Sequence, residues 1–253
     1  MLWPCHGAIG LKAPVGPGRE GGRFPEGTRA LRRRIIEMLD SPDLEGVLQD
    51  LREIDARRAI NALLSLLCNM DEALRWRAVT ALGRIVVDLA REDMEAARIV
   101  MRRLMWSLND ESGGIGWGAP EAMAEVMAHH GGLAREYAPI LLSYIREDGN
   151  YLEYEPLRIG ALWGVVRLAR ARPEVAREID AARFIRPYLR DGDPASRALA
   201  AWAVGILGDT SDCAGLRDLA PDEARVELFV DGGFATHTVG EVARRSAGVL
   251  CGS

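Results

Sequence analysis

From about residue 30 to residue 208, apolar residues return at steps of three and four, the period of helices that bury one face. Ala97, Val100, Met101, Leu104 and Leu108 mark the clearest stripe. The pattern predicts first helices near residues 55–69, 93–109, 131–147 and 174–190, each answered by a second near 71–91, 117–130, 153–172 and 193–208. The second helices share a signature, an Arg (once a Gly) followed by an Ala/Gly-rich apolar run. It reads RWRAVTALGRI around Arg77, GWGAPEAMAEV around Gly118, PLRIGALWGVV around Arg158 and SRALAAWAVGI around Arg197, at steps of 41, 40 and 39 residues. Self-similarity at such a period means stacked units, none able to bury its apolar face alone. Ala78, Ala81, Gly83, Gly160, Gly164, Ala200 and Gly205 are small enough for second helices to approach closely.

The two ends depart from this period. Residues 1–28 carry seven Gly and four Pro with no apolar period, a composition expected to stay disordered. Residues 29–54 are read as N-terminal capping helices, with Ser41 as an N-cap and Pro42 at the first helical position. Beyond the repeats of residues 55–210, VELFV, Asp231-Gly232-Gly233 and FATHTV alternate with period two around a turn and predict a β-hairpin. Thr238 and Glu241 form a capping box that opens a last helix. Hairpin and helix, within residues 211–253, are expected to cap the exposed end of the stack. The fold class predicted is all-α, a right-handed α–α superhelix of about four to five helix pairs with a small C-terminal hairpin and capping helix.

Composition narrows the function. Of 32 basic residues only Lys12 is lysine, a compositional bias that makes abundant Arg poor evidence for phosphate binding. The net charge of −5 argues against nucleic acid, whose binders present a basic footprint. Cys5, Cys68, Cys213 and Cys251 form no CxxC or Cys/His spacing, so neither zinc nor a disulfide framework is signalled, and a reducing cytoplasm is expected. No stretch approaches 18 consecutive apolar residues and no signal peptide is legible, so no membrane span or export is expected.

The run DGDPASRALAAWAVGILGD, and more loosely NMDEALRWRAVTALGRI, resembles the HEAT-like repeat of bacterial proteins, in which an Asp ends the inter-helix turn and an Arg six residues later opens the Ala-rich second helix. Asp71 to Arg77 and Asp191 to Arg197 keep that spacing, and the resemblance covers about residues 55–210. It implies a binding scaffold, since most HEAT-like proteins are scaffolds and a few are enzymes. Two enzymatic alternatives come with the resemblance: HEAT-like alkylpurine DNA glycosylases, whose tryptophans and Asp are superficially matched by Trp117, Asp110 and Trp163, and bilin lyases. Neither can be carried over motif by motif. The His-Glu pairs of the HEAT-like iron hydroxylases are absent, because His6, His129, His130 and His237 are followed by Gly, His, Gly and Thr.

The middle two repeats break their own rule. Asp110 to Gly118 is eight residues and Asp148 to Arg158 is ten, against six in the flanking repeats. Equivalent turns of neighbouring repeats lie about 10 Å apart on one edge. The inserted turns therefore predict a composite partner-binding edge of Asp110, Glu111, Gly113, Gly114, Trp117, Tyr151, Glu153, Tyr154, Glu155 and Arg158: carboxylates for charge, glycines for close approach, aromatics as anchors. The partner expected is a protein or peptide, with no cofactor, metal or catalytic residue assigned. Glu121, Glu125 and His129 share one helix stripe that could ligate a divalent ion, but no second cluster completes it. Trp76, Trp117, Trp163 and Trp202 recur in two registers and are read mainly as packing residues, and RALRRRII near the start as a solvated face.

Overall fold

The computed structural model describes residues 26–109 and 116–252. The chain runs through α1 (Thr28–Leu39), α2 (Leu44–Arg52), α3 (Ala56–Leu64), α4 (Glu72–Glu92), α5 (Met94–Leu108), α6 (Ala119–His129), α7 (Gly131–Ser143) and α8 (Glu155–Ala171). The short helices α9 (Pro173–Glu178) and α10 (Ala181–Ile185) and a 3-10 turn over Arg186–Arg190 lead into α11 (Pro194–Leu207). After a second 3-10 turn come α12 (Cys213–Asp218), the strands β1 (Arg225–Val230) and β2 (Gly233–Thr238), and α13 (Val239–Cys251). Three predicted helix pairs are present as read, while the first helix of the fourth, expected over 174–190, is broken at Asp180 (φ 52°) into α9, α10 and a 3-10 turn; among the described residues the architecture is a helix-pair solenoid with one small antiparallel hairpin near its C-terminal end. Among the described residues no helix is long and apolar enough to cross a membrane.

Two layers result. Helices α4, α6, α8, α11 and α13 stand side by side as an inner row, while α3, α5, α7 and the α9–α10 segment pack behind it. The corners are abrupt because a single non-helical residue links an inner helix to the outer helix that follows it: Asp93 between α4 and α5, His130 between α6 and α7, Arg172 between α8 and α9. Asp93 and His130 also cap the new helix, accepting from the Ala96 and Leu133 amides. Such a cap contributes about 1 kcal/mol. Helix α2 is capped by Asp43, which accepts from Gly46, and not by Ser41; the Ser41 hydroxyl accepts from the Asp43 amide and leaves Pro42 outside the helix.

The recurring arginine has a structural task. Arg158 donates to the carbonyls of Leu152 (2.9 Å) and Glu153 (3.1 Å), and Arg197 to those of Asp191 and Gly192 (2.9 Å each), so each clasps the turn that precedes its own helix. In the first repeat that residue is Arg75, bound to the Asn69 carbonyl at 3.2 Å, two positions before the Arg77 on which the sequence phasing rested. The side-chain bonds confirm the shift: Asn69 accepts from the Asp71 amide and Asp71 from Leu74, just as Asp191 accepts from Asp193 and Asp193 from Ser196. Arg77 reaches back instead to the carbonyls of Leu39 and Ser41.

One expectation is overturned at the C-terminal end. Cys213 and Cys251, 38 residues apart, form a disulfide that ties the start of α12 to the end of α13. Their separation in sequence concealed them, and the packing of α13 on α12 unites them. Closing a loop of this length is expected to stabilise the fold by about 2–4 kcal/mol. Cys251→Ser should therefore lower the urea-denaturation free energy by that amount, and reduction of the unsubstituted protein should lower it equally; an unchanged midpoint in both would show that the bridge carries no stability.

Candidate functional site

The hairpin decides the shape of the inner face. Its tip is a two-residue turn at Asp231 (φ 50°) and Gly232 (φ 90°), which pairs Val230 with Gly233 and puts Phe229 opposite Phe234. Hairpin and last helix are expected over the end of the stack, where a terminal repeat must hide its apolar face, but only α13 takes that position, against α11. The hairpin instead crosses the inner face. Phe229 stacks on Trp76 of α4 (4.5 Å between centroids, 12° between planes), and Phe234 meets both rings edge-on. Trp163 of α8 also touches Trp76 (4.6 Å) and donates its indole Nε1–H to the Phe229 carbonyl at 2.8 Å. Arg170 pairs with Asp231 at the tip (2.9 Å). The strand can lie there because Val226 and Leu228 are buried as well, while an open hollow of about 280 Å³ separates Val230 from Trp202 of α11 and Val242 of α13.

Besides that hollow, the crossing strand leaves two clefts on the inner face that carry charged groups from the helices. The first, about 330 Å³, is lined by Thr80, Arg84, Glu125, His129, Trp163, Arg167, Arg170, Trp202 and Asp231. Its charges are matched within the chain: Arg167 grips Glu125 with two bonds (2.7 and 3.1 Å), Arg170 holds Asp231, and Arg84 faces Glu45 at 3.6 Å. His129 Nε2 lies 3.3 Å from both Glu125 Oε2 and Arg167 Nη2. Burial pushes the Glu125 carboxyl up, but His129 and Arg167 outweigh it and hold the group below the ordinary carboxylate value. Arg167 thus occupies the place a cation would need beside Glu125 and His129. Among the described residues no group of three or more His, Cys, Asp or Glu is arranged to hold a metal ion.

The second cleft, about 230 Å³, lies at the N-terminal ends of the inner helices and is lined by Glu72, Arg75, Trp76, Glu121, Pro156, Ile159, Gly160, Trp163, Ala195, Leu199 and, from the hairpin, Glu227, Phe229 and Phe234. Glu121 keeps part of its surface on the cleft while its Oε2 is enclosed with no hydrogen-bond partner among the described residues. The carboxylate lies against Gly160 of α8, where a Cβ would stand 2.5 Å from Oε1. Burial pushes its pKa up to about 7, with Arg75 opposing and Glu72 adding to the rise.

The sequence-predicted edge is only partly in view. Asp110, Glu111, Gly113 and Gly114 lie outside the described residues. Trp117 is half-buried, with the Arg75 guanidinium 5.5 Å from its ring centre, and Tyr151 is half-buried with Arg158 at 5.2 Å. Each ring thus faces an arginine of its own. Glu153, Tyr154 and Glu155 are exposed, whereas Arg158 is buried and spent on its turn carbonyls. Tyr151 belongs to a separate outer hollow with Arg146, Phe184 and Tyr188. The edge and the second cleft are nonetheless continuous, because Arg75 under Trp117 and Pro156 beside Glu155 both line that cleft. Sequence reasoning missed Phe229, Phe234 and the paired role of Trp76 and Trp163. The usable signal was that Trp163 and Trp202 hold the same place, five residues after Arg158 and Arg197, and both line the inner face.

Comparison with known proteins adds a relative but no activity. No family model matches the chain. An uncharacterised protein of Archaeoglobus fulgidus is 31% identical over 152 residues, which span 58% of this chain and 73% of that protein. Similar solved structures are armadillo- and HEAT-like repeat proteins. A designed armadillo repeat protein in complex with the peptide (KR)4 has 17% identity and a TM-score of 0.49, covering 86% of this chain and 98% of the other. An archaeal HEAT-like repeats protein from Thermococcus onnurineus has 16% identity and a TM-score of 0.36, covering 90% and 98%.

Two outcomes follow for the site. A carboxyl raised from 4.5 to about 7 stays protonated in the folded chain while the unfolded chain ionises, so stability falls as pH rises through that window. Glu121→Gln should remove that slope, gaining on the order of 3 kcal/mol over the unsubstituted chain at pH 8 and little at pH 4, as read by urea denaturation. Trp163→Phe keeps the ring but strands the Phe229 carbonyl; it should cost about 1–3 kcal/mol and speed hydrogen exchange in β1. Unaltered exchange would show that the indole bond does not hold the hairpin.

Proposed function

We propose that this chain, which belongs to the same family as the uncharacterised Archaeoglobus fulgidus protein, is a non-enzymatic binding module that holds an extended polypeptide in the second cleft and along its rim. One observation carries the reading. The inner face already accommodates an extended strand of its own, through an indole N–H on a main-chain carbonyl and an aromatic seat for one side chain. Main-chain capture plus side-chain pockets is how extended peptides are recognised generally. The hairpin is then a fixed wall of the site, and the partner lies beside it.

The rim supplies what such a partner needs. Tyr154 and Phe234 are the large aromatics left most accessible there, 51% and 37% exposed, and aromatic anchors carry most of the energy of many interfaces. Glu153 and Glu155 extend the rim with negative charge. In this reading residues 55–210 form the binding repeats with the hairpin laid across them, residues 29–54 close one end and α13 closes the other, since terminal repeats must hide their apolar faces.

Peptides selected from a displayed random library on the purified protein provide the test. They should bind the Tyr154→Ala variant about tenfold more weakly, with a folding free energy within about 0.5 kcal/mol of the original for this surface change. Equal binding to both forms would overturn the placement.

A further inference from the structure

We propose that the second cleft is a subsite for one basic side chain of the bound polypeptide, an ammonium or guanidinium head on an alkyl stem. This rests on the peptide-binding reading above and specifies its partner.

The walls are aromatic. Trp76, Phe229 and Phe234 pack face and edge around one side, and aromatic faces attract cations. Three carboxylates converge from three elements: Glu72 in the first turn of α4, Glu121 in the first turn of α6, and Glu227 on β1. The basic group among the described lining residues, Arg75, is spent on the Asn69 carbonyl (3.2 Å), the ring of Trp117 and Glu72 (2.9 Å), which matches Glu72 and leaves Glu121 and Glu227 without a salt bridge among the described residues. The cleft therefore has surplus negative charge, whereas the first cleft has its arginines paired. Helix dipoles favour carboxylates at Glu72 and Glu121, but a dipole does not explain an oxygen sealed from water without a donor. A cation in the cleft meets the part of Glu121 that stays open there and stabilises the ionised carboxylate by charge. A volume of about 230 Å³ falls below the ~300–1,000 Å³ of sites for whole small molecules and suits one side chain. Ile159 and Leu199 offer apolar surface for its stem.

The site also carries a pH signature. A cation gains only from the ionised form of Glu121, whose carboxyl burial has pushed up to about 7. Glu72 and Arg75 from α4 and Glu227 from β1 are the charged groups facing it, while Pro156, Ile159, Ala195 and Leu199, from α8 and α11, contribute none. Binding should strengthen from pH 6 to pH 8.

The experiment uses n-butylammonium and n-butylguanidinium, with n-butanol as the neutral control, on the full chain, followed by the indole N–H resonance of Trp163. Both cations are expected to bind about tenfold more tightly than the alcohol, and better at pH 8 than at pH 6. Glu121→Gln should reduce the preference and remove the pH dependence, and Glu227→Gln should weaken binding without removing the pH dependence. Cations that bind no better than butanol, or equally well to Glu121→Gln, would overturn the subsite. Library-selected peptides should carry Lys or Arg at a fixed position. Peptides that bind without one would overturn the subsite and leave the binding module standing; cation binding with no peptide selected would instead overturn the polypeptide as the source of the cation.

Discussion

The close approach of neighbouring inner helices governs the rest of the structure. A Cβ on Gly83 would stand 2.6 Å from the Glu125 Cβ, one on Gly160 2.5 Å from Glu121 Oε1, and one on Gly205 2.6 Å from the Ser246 Cβ. At such spacing there is no room for a layer of side chains between backbones, and interiors pack too densely to absorb one. Carboxylates at Glu121 and Glu125 are consequently pressed into helix–helix seams on α6. Their fates differ: Glu125 meets Arg167 and is held ionised, whereas Glu121 meets a glycine and is left without a donor.

The row of helices creates an apolar inner face, and the chain covers part of it with its own hairpin. Phe229 wedges against Trp76 and Trp163, residues on different helices brought together by the stacking. The disulfide at Cys213 and Cys251 brackets the segment that contains this hairpin, so the strand is tethered on both sides. Among the clefts that remain open, two are unlike: one has internally matched charges and the other aromatic walls and excess carboxylate.

The turn-clasping arginines show how one residue type serves two ends. Arg75, Arg158 and Arg197 are repeat markers because a planar multi-donor head can satisfy adjacent turn carbonyls that the following helix leaves without partners. In the first repeat the same Arg75 also stands beneath Trp117 at the rim of the second cleft, so turn geometry and site geometry are coupled there.

The helix pairs, the hairpin, its Asp-Gly turn and the Thr238–Glu241 cap were legible in the sequence, because each depends on residues within a few positions of one another. The phase of the first repeat was read two residues late, since Arg75 and Arg77 are both plausible markers until the turn carbonyls are in place. The emphasis on the inserted turns found the rim of the second cleft but not its interior. Phe229, Trp76, Glu121 and the Cys213–Cys251 bridge come from distant parts of the chain, and nothing in local periodicity says that a hairpin will fold across the inner face and not along its end. Local pattern determined the elements. Only tertiary packing, which settles which apolar faces have no other cover, decided where the hairpin lies, which carboxylate is left unpaired, and therefore which clefts stay open.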